Sequence, residues 1–171
     1  SGKTFECKSV IVCTGTYMRS KILVGKTATE RACDNQETTS RLSDSLKGLG
    51  FDIIRLKTGT PPRIKKDSID YSKTKLESGD TNKSFFNHFD KELNILNVDV
   101  PCHLTYTTDE TLNIIRDNLL ESSMYSGLVE GVGPRYCPSI EDKVVRFSDK
   151  ERHQIFLEPE SLSLDEIYVQ G

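Results

Sequence analysis

The chain has 171 residues, 35% of them hydrophobic and 29% charged, with a formal net charge of -3. That is an ordinary soluble balance in a length that supports one domain with a core, or one domain plus part of another, and any basic surface for nucleic acid must be local. No apolar run reaches the roughly 18 residues of a membrane span, and no signal-peptide pattern opens the chain, so membrane insertion and export are not expected.

Residues 6–13, ECKSVIVC, form a β-branched apolar run ending at Thr14-Gly15-Thr16. They predict a buried strand closed by a tight turn. Residues 26–38 are polar and irregular, a loop. Over residues 40–49, Leu42, Leu46 and Leu49 recur on one helical face, with Thr39 or Ser40 as N-cap and Gly50 closing the helix. Residues 51–60, FDIIRLKTGT, read as a second strand stopped by Pro61-Pro62. Residues 65–99 are polar and weakly patterned, with 67–82 as a long surface excursion. Residues 101–107, PCHLTYT, alternate as a strand. Thr107-Thr108-Asp109-Glu110 then predicts a capping box, with Thr107 as N-cap and Glu110 at the third helical position. The helix that follows points Leu112, Ile115 and Leu119 inward and fades near Ser122-Ser123. Gly127, Gly131 and Gly133 punctuate a loop, Pro138 opens a third helix to about Phe147, and residues 153–159, HQIFLEP, are a final strand. This alternation predicts a mixed fold, α/β or α+β. The immediate opening into a strand, and an ending at YVQG with no closing element, read as a piece of a larger protein.

Five cysteines, Cys7, Cys13, Cys33, Cys102 and Cys137, are odd in number and scattered. There is no C-x-x-C pair, so neither a zinc site nor a disulfide framework is expected, and a reducing cytosol fits. Cys137 stands out because it sits in GPRYCPSIEDKVVRF, residues 133–147. If Pro138 takes the first helical position, Cys137 is the N-cap. Free backbone N–H groups, the positive helix end and Arg135 would then all favour the thiolate, the nucleophilic form. Asp142 and Arg146 are spaced to pair along the helix. The alternative is a buried structural cysteine ahead of an amphipathic helix, since free cysteine is among the most buried residue types.

A second candidate is residues 55–66, RLKTGTPPRIKK, with Arg55, Lys57, Arg63, Lys65 and Lys66 and no acid among them. Thr58-Gly59-Thr60 adds hydroxyls and a pliable backbone, which suits phosphates of a dinucleotide or of RNA; the alternative is a solvated basic turn. Thr14 and Gly15, at the end of an apolar strand, lie where a cofactor meets a parallel sheet. His88, His103 and His153 are isolated and carry no assigned chemistry.

Four stretches together, RLKTGTPPRI (55–64), SSMYSGLVEGVG (122–133), GPRYCPSIEDKVVRF (133–147) and RHQIFLEPE (152–160), resemble the tRNA uridine-5-carboxymethylaminomethyl modification enzymes, the MnmG or GidA family, in the same order. The resemblance runs from about Val10 to the end. It implies a flavoprotein with a Rossmann-like FAD-binding domain of the glutathione reductase type and an inserted α/β domain. Residues 1–28 and 151–171 would belong to the FAD-binding region, and 29–150 to the insertion. It further implies FAD, NADH and methylenetetrahydrofolate as cofactors, a GTPase partner, MnmE, forming a heterotetramer, a cytoplasmic homodimer, and modification of carbon 5 of the wobble uridine of tRNA. The folate-dependent tRNA methyltransferase of the same superfamily, a binding-only module, and a flavin disulfide reductase are the competing readings; the last lacks paired cysteines here.

The resemblance also implies residue roles. Cys137 matches a cysteine treated in the family as functional: a thiolate adding to carbon 6 of uracil makes carbon 5 a nucleophile toward an electrophilic methylene. That role falls to Cys137 or to a cysteine N-terminal of this chain. The family reads 133–147 as NAD-binding, which covers Gly133, Pro134, Arg135, Tyr136, Cys137, Pro138, Ser139, Ile140, Glu141, Asp142, Lys143, Val144, Val145, Arg146 and Phe147, with Arg135, Lys143 and Arg146 toward the phosphates. Thr39 falls where the family has a hydroxyl residue assigned to FAD, and a helix start beside a pyrophosphate makes sense of it. Two departures stand out. A glycine-rich stretch is replaced by Thr29-Glu30-Arg31-Ala32-Cys33, and an Arg-Ser-Pro-Met-Tyr stretch by Glu121-Ser122-Ser123-Met124-Tyr125.

Overall fold

The structure is a computed structural model that describes residues 2–79, 100–128, 131–133, 138–163 and 165–171. It gathers into two compact units, residues 1–57 with 120–132 and residues 58–119 with 133–171.

In the first unit, β1 (Ile22–Val24) and β2 (Thr27–Thr29) form an antiparallel hairpin. Gly25 turns it at φ 53, in the left-handed region that glycine enters without cost. Helix α1 (Ser40–Gly48) follows, with Thr39 as N-cap as expected. It ends as Gly50 predicts: Gly50 has φ 90, its N–H donates to the Lys47 carbonyl, and the Phe51 N–H reaches back to the Leu46 carbonyl. That is the two-bond Schellman closure. Leu42 and Leu46 are half-buried, and Leu49 is exposed.

Two expected strands are absent from this unit. Residues 6–13 have no strand partner among the described residues, and Val10 and Ile11 are 76% and 87% exposed. Residues 51–60 form only an isolated parallel bridge, Leu56 to Val132. Apolar β-branched composition describes a buried strand, but a strand exists only where a second backbone supplies the ladder.

The second unit is built on a five-stranded antiparallel sheet in the order β3-β7-β6-β5-β4. Its strands are β3 (Arg63–Lys65), β4 (Lys75–Glu77), β5 (Cys102–Tyr106), β6 (Gln154–Pro159) and β7 (Glu166–Gln170). The expected strands at 101–107 and 153–159 are its centre, with Leu104 opposite Phe156 and His103 opposite Leu157. The mixed α/β class is therefore met, with its principal sheet antiparallel. Register places Leu157 and Ile167 on one face and Leu104 on the other, and all three are buried. Strands after residue 151 pair with strands inside 63–106, so the sheet spans the expected boundary at 150/151.

Helix α2 (Asp109–Asp117) packs against α3 (Ile140–Arg146), burying Leu112 and Val144 to 2% and 1% exposure. The N-cap of α2 is Thr108, whose hydroxyl accepts from the Thr111 N–H, not Thr107. Thr107 is committed elsewhere. Its N–H donates to the His153 carbonyl at 3.0 Å, and its hydroxyl accepts from the His153 N–H at 2.9 Å. A threonine that pins two strands together leaves the capping role to its neighbour. His103 also has a structural role: its Nδ1 lies 2.8 Å from the Thr74 hydroxyl and its ring 4.5 Å from that of Tyr71.

Candidate functional site

The first unit holds a polar cavity of about 290 Å3 lined by Arg19, Ser20, Lys21, Glu30, Thr38, Ser40 and Arg55. Just before the lining residue Arg19, Thr14 and Gly15 make a turn, with the Tyr17 N–H donating to the Thr14 carbonyl, and Met18 forms a parallel bridge with Thr39. Thr38 Oγ1 donates to the Tyr17 carbonyl and accepts from the Ser20 N–H. Thr39 Oγ1 also donates to the Tyr17 carbonyl, so it gives no side-chain cap to α1. The first N–H groups of α1 are thus without a capping side chain, at the positive end of the helix.

Charge around the cavity is mostly answered. Arg19 pairs with Asp44 at 2.8 Å, and Lys21 with Glu30 at 3.9 Å. Glu30, the acid that departs from the family's glycine-rich stretch, is therefore matched. Arg55 has no carboxylate partner among the described residues; its Nη1 donates to the Arg19 carbonyl at 3.0 Å. Ser20 Oγ is buried with no hydrogen-bond partner. Arg19 holds φ 44, a left-handed backbone uncommon outside glycine. An orphaned hydroxyl, an uncapped helix start and an unanswered guanidinium, all in one cavity, suit an anion with several acceptor oxygens.

The stretch 133–147 is arranged differently from the expectation. The N-cap of α3 is Ser139: its hydroxyl accepts from the Asp142 N–H at 3.2 Å, and the Asp142 carboxylate accepts from the Ser139 N–H at 3.4 Å. Pro138 lies one residue outside the helix, so Cys137 is not the N-cap and the electrostatic case for its thiolate fails on that point. The cause is in the sequence: Ser139-x-x-Asp142 is a capping box, and a hydroxyl caps better than a thiol. Pro134, Arg135, Tyr136 and Cys137 lie outside the described residues, as does His88. Asp142 pairs with Arg146 at 3.7 Å as the spacing requires. Gly133, Ile140, Glu141 and Lys143 are half-buried, Val144 is core, and Val145 and Phe147 are 42% and 45% exposed.

The basic segment is shared between the two units. Arg55 and Lys57 belong to the first unit, Arg63 and Lys65 to the second. Arg63 Nε and Nη2 both donate to Glu160 Oε1, at 2.9 and 2.7 Å, and its guanidinium lies 4.6 Å from the Tyr168 ring centre. Its charge is spent on a structural contact. Lys65 is exposed on β3. Gly59 comes close to the signature stretch: a Cβ built there lies 3.3 Å from the Ser139 Cβ. Of the residues singled out in the sequence, Arg55 lines the polar cavity and Thr14, Gly15 and Thr39 are not among its lining residues; Arg19, Ser20 and Lys21 line it without having been singled out. Their signal was a basic-hydroxyl-basic triplet after a turn, which has meaning only once Met18 is paired with Thr39.

All 171 residues match the family described as "Glucose inhibited division protein A". The chain belongs to that family. Among its relatives, the "tRNA uridine 5-carboxymethylaminomethyl modification enzyme MnmG" of Onion yellows phytoplasma is 55% identical over 170 residues, covering 99% of this chain and 27% of the relative. The protein of the same name from Bacillus velezensis is 51% identical over 171 residues, covering 100% and 27%. The solved Aquifex aeolicus GidA in its form II crystal matches with a TM-score of 0.74 at 38% identity, over 92% of this chain and 25% of that one. The chain thus spans about a quarter of the length of the relatives it matches.

Proposed function

We propose that this chain serves as the central part of a flavin-dependent enzyme that modifies carbon 5 of the wobble uridine of tRNA. The reading is supported by family membership over all 171 residues, with relatives named for tRNA uridine modification. The observation that carries the chemistry is the cavity at the start of α1, with Arg55, Ser20 and the uncapped helix end. These residues fit the phosphates of FAD: hydroxyl and guanidinium donors, with no unmatched acid in the lining. Bound flavin would supply the redox equivalents; Arg55, Ser20 and Ser40 would hold its pyrophosphate. NADH is assigned to 133–147, with Arg135, Lys143 and Arg146 toward its phosphates. Methylenetetrahydrofolate is the one-carbon donor, and the GTPase MnmE and a second copy of the enzyme are its partners in the cytoplasm.

Cys137 is the proposed nucleophile. Its thiolate would add to carbon 6 of uracil, carbon 5 would then bond to the methylene of the folate donor as one methylene–nitrogen bond breaks with its electron pair going to nitrogen, and loss of the carbon 5 proton would expel the thiolate. In the full-length enzyme, Cys137→Ser should abolish tRNA modification and leave the flavin bound. Undiminished turnover by this variant would return Cys137 to a structural role.

A further inference from the structure

Gly59 lies against the start of α3, and both belong to the second unit. A Cβ built on Gly59 would lie 3.3 Å from the Ser139 Cβ and 4.0 Å from its Cα. The φ of Gly59 is outside the left-handed region, so what glycine supplies here is room and not a special backbone. Ser139 has little freedom to give way. Its hydroxyl accepts from the Asp142 N–H at 3.2 Å, its own N–H donates to the Asp142 carboxylate at 3.4 Å, and its carbonyl accepts from the Lys143 N–H at 3.0 Å. The helix cannot retreat as a body either, because Val144 is 1% exposed in the contact with α2. Beyond Gly59 the chain is anchored to the sheet, where the Val169 N–H donates to the Pro62 carbonyl at 3.0 Å.

We infer that Gly59 is a positioning residue: its missing side chain lets residues 58–60 pack on Ser139, and Ser139 in turn sets Lys143 and Arg146, the α3 cations assigned to the NADH phosphates. The inference rests on that assignment. Ser139 reaches both cations through its hydrogen bonds. Its carbonyl holds the backbone of Lys143, and its hydroxyl holds Asp142, which pairs with Arg146 at 3.7 Å. A methyl group at position 59 pushes the Ser139 Cβ away and opens the capping box. The first turn of α3 then loosens, and both cations keep their charge but lose their placement.

The test uses the full-length protein and two ligands, NADH and reduced nicotinamide riboside, which share the reduced ring but differ in phosphates. Bound FAD, read from its absorbance, reports an intact fold. Lys143→Ala should weaken NADH binding about tenfold, the scale of one lost charge-assisted contact, and spare the riboside. If NADH affinity does not fall, the NADH assignment fails and this inference falls with it. Given that loss, Gly59→Ala should weaken NADH binding about fivefold or more, with riboside affinity unchanged and FAD retained. The discriminating background is Ser139→Gly, which removes the Cβ that the new methyl would strike while glycine still serves as an N-cap. There, Gly59→Ala should cost nothing further in NADH affinity. Should Gly59→Ala alone fail to hold FAD, the double variant must recover it. Unchanged NADH affinity in Gly59→Ala, parallel loss of both ligands, an undiminished cost in the Ser139→Gly background, or a lost fold that the double variant does not restore would each overturn the inference and leave the NADH assignment in place.

Discussion

Arg55 and Arg63 lie eight positions apart in one basic run and have opposite circumstances. Arg63 is clamped by Glu160 and covered by Tyr168, whereas Arg55 meets only a carbonyl among the described residues. Arg63→Ala should therefore lower the stability of the second unit by about 1–2 kcal/mol, the sum of a partly exposed ion pair and a cation–π contact. It should leave nucleotide affinity untouched. Denaturant unfolding alongside FAD titration checks both halves; a loss of FAD affinity in Arg63→Ala would assign that residue to the ligand instead. Sequence alone could not separate the two arginines. What distinguishes them is the position of Glu160, 97 residues away in the chain.

At the scale of elements, α3 depends on Ser139. Ser139→Ala should cost about 1 kcal/mol of helix stability, and Ser139→Asp should retain most of it, measured by thermal unfolding. Equal stability of all three proteins would contradict the cap assigned here. The core beneath is less forgiving: Leu112→Ala, at a 2% exposed position between helices, should cost about 2–5 kcal/mol. His153 gives this junction a pH dependence. Burial pushes its pKa below the usual 6.5, and the cations Lys143, Lys150 and Arg116 push the same way against Asp149. The unfolded chain then takes up the proton more readily than the folded one. The neutral imidazole is fully accommodated above pH 6.5, and stability falls as pH drops through that value toward the lower folded pKa. The slope of Tm against pH below neutrality should flatten in His153→Gln; an unchanged slope would place the titrating group elsewhere.

Helices were the legible elements, because 3.6-residue periodicity and caps are local. Leu42 and Leu46 with Gly50 marked α1, and the apolar spacing of Leu112 marked α2. Both errors at helix starts were one-to-two-residue shifts in which a better or freer hydroxyl won: Thr108 over Thr107, Ser139 over Cys137. Strands were legible only at the sheet centre. ECKSVIVC and FDIIRLKTGT have strand composition and no ladder, whereas β3 and β4 are three-residue strands with too little pattern to announce themselves.

For the whole molecule, two units matter more than the linear order of motifs. The basic segment divides between the units at 57/58, whereas the signature stretch, 133–147, lies entirely in the second unit. Of the residues lining the cavity at α1, the sequence singled out Arg55 but not Ser20, because nothing local marks a serine whose hydroxyl is left without a partner.

The claim that Arg55 holds ligand phosphates at the start of α1 is tested most directly by titrating FAD into full-length wild type and Arg55→Ala across a salt series. We expect Arg55→Ala to bind about tenfold more weakly at low salt, with the gap closing as salt screens the lost charge. Superimposable binding curves at every salt concentration would contradict it.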